Sequence, residues 1–190
     1  MSQQLVAIKK RIKSVSSAYK VTSAMKLVST VKLKKWKNKM LAFREYANQI
    51  DEVKKMVLLC SNKVTSQYFE KNNSTRNLYI VVSSSLGLCG SYNNNIFKVA
   101  NVSLKETDSA IILGSKGIAH FDNGDFDKIE DFSSYTSSQD EKIVNSLALY
   151  IMNEYEKGTF NEIHIIYSEY KNSLVFLPKD YKILPLEKEN

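Results

Sequence analysis

A chain of 190 residues with a net charge of +7, 43% apolar and 25% charged residues can bury a core and has an ordinary folded composition, which excludes a disordered tail or a membrane bundle. No stretch approaches the roughly 18 uninterrupted apolar residues of a spanning helix, and the opening MSQQLVAIKK, basic after its few apolar residues, does not mark secretion. Cys60 and Cys89, far apart and without a CxxC partner, form neither a disulfide framework nor a metal site.

The charge is unevenly divided. Residues 1–60 carry 14 Lys and Arg against 3 Asp and Glu, whereas residues 61–190 carry 13 against 17. No acidic residue precedes Glu45, while twelve Lys and Arg lie between Lys9 and Arg44. Such an arm calls for an acidic partner. The first glycine is Gly87 and the first proline Pro178, so the opening segment lacks the residues that most readily stop a helix. Two heptad rows run through it: Leu5, Ile12, Tyr19, Lys26, Leu33, Met40, Ala47 and Lys54, and Ile8, Val15, Thr22, Ser29, Trp36, Phe43, Ile50 and Val57. Twelve of these sixteen are apolar. A seam repeating every 3.5 residues implies a long coiled-coil shaft helix over residues 1–62, supercoiled on a partner helix and ~85 Å long. The seam weakens at Thr22, Lys26 and Ser29, while Met25, Val28 and Val31 lie just off it, as a local phase shift produces.

Residues 63–77, rich in Asn and Ser, read as a connection, and residues 78–190 as a second domain. Leu78 to Ser83 is a strand pattern leading through SSLGLCGSYNNN to a helix over Ile96 to Leu104. Ala110 to Leu113 is a strand entering Gly114-Ser115-Lys116-Gly117. Ser138 and Glu141 make a capping box ahead of a helix carrying Ile143, Leu147, Tyr150, Ile151 and Tyr155, ended by Gly158. Glu162 to Tyr170 and Leu174 to Leu177 close the chain as strands, the latter halted at Pro178. Alternating strands and helices predict an α/β fold class for this domain.

The motifs argue against catalysis. LGLCGS follows a strand but lacks the GK[ST] of a phosphate loop, and no GxGxxG is present. Residues 114–117 have the wrong spacing for a nucleotide cradle, so both segments read as strand-to-helix turns. His120 and His164 stand apart from any ligand-spaced set, and no serine or cysteine nucleophile has a readable His and acid pair. No catalytic, cofactor-binding or metal residue is therefore assigned, and the chain reads as a non-enzyme. Nucleic acid is not the expected partner, because a zipper protein places its basic block before the heptads, whereas here lysines are interleaved with them. A coiled-coil scaffold or nucleic-acid-binding adaptor is the alternative of another class, distinguished by whether nucleotide-hydrolysing subunits copurify.

Three groups of residues carry a resemblance to the gamma subunits of F1-type ATP synthases. They are Ile8-Lys9-Lys10-Arg11-Ile12-Lys13-Ser14-Val15 with Tyr19 to Val28 and Lys32 to Lys35; Gly87-Leu88-Cys89-Gly90 with Tyr92, Asn93 and Asn95; and Ile166-Tyr167-Ser168 with Asn172 and Ile183-Leu184-Pro185-Leu186. The resemblance implies a Rossmann-like α/β domain between two long helices that pair as an antiparallel coiled coil. It implies a central rotor shaft inside a ring of alpha-type and beta-type subunits, coupling ATP hydrolysis or synthesis there to rotation, at the cytoplasmic face of the cell membrane. Further partners implied are an epsilon-type subunit and the membrane rotor ring. Met25 and Lys26 match the family's step facing the beta-type lever, with Lys20 and Lys32 as neighbouring partner contacts, and Leu5, Ile8, Ile12, Val15, Leu33, Trp36, Met40, Phe43 and Ile50 form the seam. Two departures stand out. Ser85-Leu86 replaces the family's acidic and basic pair before GLCG, pointing to a diverged paralogue in an F1-like ATPase driving motility or another membrane-associated machine, and the second long helix is absent from this sequence.

Overall fold

Free of glycine and proline, the N-terminal segment forms a single unbroken helix, α1, over Ser2–Cys60. The computed structural model describes residues 2–60, 66–132, 141–172 and 175–187. The chain divides into two units, Met1–Asn62 and Lys63–Asn190. At ~1.5 Å rise per residue the 59 residues of α1 extend ~90 Å. No helix among the described residues is long and apolar enough to cross a membrane.

The second unit is a five-stranded sheet with helices on both faces. Its elements are β1 (Leu78–Val82), α2 (Tyr92–Ser103), β2 (Ser109–Leu113), α3 (Ser115–His120), β3 (Asp127–Lys128), α4 (Glu141–Glu156), β4 (Ile163–Tyr170) and β5 (Phe176–Leu184). The strand order is β3-β2-β1-β4-β5, parallel except for β5. Strand periodicity of two sorts the apolar side chains between two cores. Leu78, Ile80, Ile111, Leu113 and Ile163 pack with Ile151 and Tyr155 of α4, and Tyr79, Val81, Ala110, Ile112 and Ile166 pack with Ile96, Phe97 and Ala100 of α2. Parallel strands covered on both faces need such continuous apolar runs, which explains LYIVV and SAIIL.

Buried polar groups tie the strand starts together. Asp108, only 1% exposed, accepts hydrogen bonds from the backbone N–H groups of Asn77 and Lys105, each at 3.0 Å. Asn72 Nδ2 donates to the carbonyls of Tyr155 and Phe160 at 2.8 and 2.9 Å, anchoring the segment before β1 to the end of α4.

Several expectations are corrected. Pro178 does not halt the last strand; it lies inside β5, opposite Ser168. Among the described residues β5 has a neighbouring strand on one side only, and an edge strand tolerates a missing amide donor. The helix after β1 begins at Tyr92 rather than Ile96, because polar Asn93 to Asn95 form its first turn and leave no apolar period there. Residues 114–117 hold the strand-to-helix turn expected there, with β2 ending at Leu113 and α3 starting at Ser115. The two-residue β3 has no sequence pattern long enough to read. Ser138 and Leu174 lie outside the described residues.

Candidate functional site

Two surfaces present unsatisfied apolar area. The first is α1. Its seam residues Ile12 and Phe43 are 63% and 68% exposed, and Leu5, Ile8, Val15, Leu33 and Ile50 are also open. A 3.5-residue stripe on a 3.6-residue helix drifts by about 20° per heptad, so whatever covers it must wind around the helix. Trp36 and Met40 are half-buried by their own chain: Lys39 Nζ stands 5.2 Å from the Trp36 ring centroid, and Arg44 approaches Met40 Sδ at 3.8 Å.

The weak point of the seam has its own local chemistry. Thr22 and Thr30 donate their hydroxyls back to the carbonyls of Ala18 and Lys26, each at 2.8 Å, so neither needs an external partner. Met25 is 53% exposed and Val21 and Val28 flank it along the same side. At ~100° per residue, Met25 and Lys32 share one azimuth two turns apart, whereas Lys20, Lys26 and Lys32 point in directions about 120° from one another. The four expected contact residues are thus not brought together on one face; the cations encircle the helix.

The second surface is the loop after β1, over residues 83–91, at the carboxyl end of the sheet between parallel β1 and β4, where the strand order switches direction. Ser83 Oγ donates to the Leu113 carbonyl and accepts from Gly117 N, each at 2.8 Å. Asn93 accepts from Ser84 N at 3.0 Å and donates to Ser84 Oγ at 2.8 Å and Cys89 Sγ at 3.3 Å. These polar groups are spent on holding the loop. What the loop presents outward is Leu88, at φ 61° and 98% exposed, with Leu86 beside it. A leucine held in the left-handed region with its side chain fully in solvent is costly unless the surroundings fix it. Reading GLCG for nucleotide chemistry missed it; its backbone conformation has no sequence signature outside glycine.

Both histidines lie against other side chains. His120 stacks on Phe97 with centroids 4.1 Å apart and planes 7° apart. His164 faces Asp180 and Glu162. Burial, assisted by Asp108, Asp180 and Glu162, pushes the Tyr79 phenol up to about 12. Among the described residues no group of three or more His, Cys, Asp or Glu is arranged to hold a metal ion.

Comparison with known proteins matches residues 4–190 to the ATP synthase family model. The ATP synthase gamma chain of Clostridium botulinum is 34% identical over 191 residues, covering 98% of this chain and 68% of that protein. That of Ureaplasma urealyticum is 32% identical, covering 97% and 65%, and that of Mycoplasmopsis pulmonis is 34% identical, covering 95% and 64%. The chain thus spans about two thirds of the length of these relatives. The fold is also that of a chain in the central stalk and c-ring structure of Tetrahymena thermophila mitochondrial ATP synthase, with a TM-score of 0.63, 20% identity, and coverage of 87% of this chain and 72% of that one.

Proposed function

The chain belongs to the ATP synthase gamma-chain family, and on that premise we propose that it is the central rotor shaft of an F1-type or F1-like rotary ATPase. The observation that carries this reading is α1: 59 residues of unbroken helix, an apolar seam along it, and no acidic residue before Glu45. The partners are alpha-type and beta-type ring subunits, with an epsilon-type subunit and the membrane rotor ring at the cytoplasmic face of the membrane. Nucleotide chemistry belongs to the ring and this chain is non-catalytic. Met25 and Lys26, flanked by Lys20 and Lys32, meet the beta-type lever, and cations around the whole circumference keep an acidic lever attracted at every angle of the turn. Leu88 is a second contact, an apolar anchor offered to a partner subunit.

Rotation requires a stiff, asymmetric shaft. Stiffness comes from covering the seam: each large apolar side chain fully buried contributes about 1.5–3 kcal/mol as an upper value. On this reading an antiparallel helix along Leu5, Ile8, Ile12, Trp36, Met40, Phe43 and Ile50 supplies that cover.

Affinity purification from native cells is expected to bring nucleotide-hydrolysing ring subunits with this chain, while the isolated chain neither binds nor turns over labelled ATP. Micromolar ATP binding with turnover by the isolated chain contradicts the non-catalytic role, and recovery of the chain without any nucleotide-hydrolysing partner favours the scaffold alternative.

A further inference from the structure

His164, near the start of β4, stands between two carboxylates carried by different segments. Its Nδ1 lies 2.7 Å from Asp180 Oδ1, and its Nε2 lies 3.4 Å from Glu162 Oε2. Asp180 belongs to edge strand β5, and its second oxygen accepts from Ser103 Oγ, in the last turn of α2, at 2.7 Å. Glu162 immediately precedes β4 and also pairs with Lys71 at 2.7 Å. The imidazole therefore sits where β4, β5 and α2 are joined by polar side chains, and its own side chain is only 15% exposed.

We propose that His164 is a proton-operated latch on edge strand β5. With both ring nitrogens protonated, the side chain donates to Asp180 and Glu162 together, fastening β5 and, through Ser103, α2 to the head of β4. The neutral ring carries a single N–H, so one of the two carboxylates then faces a lone pair instead of a donor. Among the described residues β4 is the one strand paired with β5, and an edge element with one strand neighbour opens locally at lower free energy than the central strands. The neutral ring keeps its shorter contact, to Asp180, without the opposite charge that strengthened it, and that weakening is felt first in β5.

The other groups around the ring do not supply this switch. Lys182, directly across from His164 in β5, turns to Glu187 at 2.7 Å. Lys71 is engaged by Glu162. Lys71 first, and His164 after it, hold Glu162 below the ordinary carboxylate range, so it stays ionised around neutral pH. The Tyr79 ring, tilted against the imidazole at 5.0 Å, is neutral there. The sign follows from the donor count: the double donation needs a proton on both ring nitrogens, so it is favoured at the lower of two pH values and weakened at the higher.

The test is hydrogen exchange on the full chain at pH 5.5 and pH 8, with protection factors corrected for intrinsic rates, for the native protein, His164→Gln and Glu162→Ala. In the native protein β5 amides are expected to lose about tenfold in protection at the higher pH while β1 is unchanged, because a hydrogen bond to a charged group is of that size. His164→Gln removes the pH dependence, and Glu162→Ala reduces it. A histidine that merely packs in place leaves the native β5 protection equal at both pH values, which overturns the latch, as does an unaltered pH dependence in His164→Gln. Should that variant fail to fold, an unaltered pH dependence in Glu162→Ala is equally decisive.

Discussion

Gly114→Ala is expected to cost the α/β domain at least about 3 kcal/mol, a large part of the roughly 5–15 kcal/mol that holds such domains folded. Gly114 ends β2 at φ 96° and ψ 133°, a region that is nearly glycine-only. A Cβ there would lie 2.3 Å from the Ser83 carbonyl oxygen and 2.7 Å from Ser83 Oγ. Relief is blocked from both sides, because Ser83 N donates to the Leu113 carbonyl at 2.8 Å and Lys116 N donates to the Ser84 carbonyl at 3.0 Å. The methyl must therefore pry apart the ends of β1 and β2. Gly90→Ala is the control: φ is 59°, but nothing lies within 4 Å of its added Cβ, so only about 1 kcal/mol of conformational cost is expected. Urea denaturation followed through the exchange protection of β1 and β2 amides separates the two, and equal shifts would show that Gly114 is not sterically required.

Reversing Lys20, Lys26 and Lys32 together to Glu is expected to slow association of the chain with its ring by about 10- to 1,000-fold at low salt. The change takes residues 1–44 from +12 to +6. Lys26→Glu alone should do far less to affinity, since one exposed ion pair is worth about 0.2–1 kcal/mol. If Lys26 meets the beta-type lever as proposed, the larger effect of its reversal is expected on coupling, where like charges then face each other. Because the lysines are exposed, the association defect must shrink as salt rises and the Debye length falls to about 8 Å at physiological ionic strength. An association rate that is unchanged and insensitive to salt contradicts an acidic partner for this arm.

The long helix was legible because its causes are local: no glycine or proline before Gly87, and a seam of 3.5-residue period. The α/β alternation was legible for the same reason, as β1 and β2 are short, largely apolar runs of strand length and β4 opens on Ile163, Ile165 and Ile166. What escaped depends on long-range partners. Pro178 marks a strand end only if both edges of β5 are paired, and which strand lies at the edge is a property of the sheet. The meeting of His164 with Asp180 follows from the antiparallel register of β4 and β5, which places residues sixteen apart side by side. Leu88 looked like part of a glycine turn; it shares the left-handed φ of Gly90, 61° against 59°, and what marks it is a large apolar side chain held there in solvent.

The rotor role itself is tested most directly by watching the shaft. With the ring immobilised and a bead fixed to the α/β domain of this chain in the native complex, ATP should drive stepwise rotation of the bead in one direction, and Lys26→Glu should lower the torque while hydrolysis continues. A ring that hydrolyses ATP at its normal rate while the bead on the native chain stays still would contradict the shaft function.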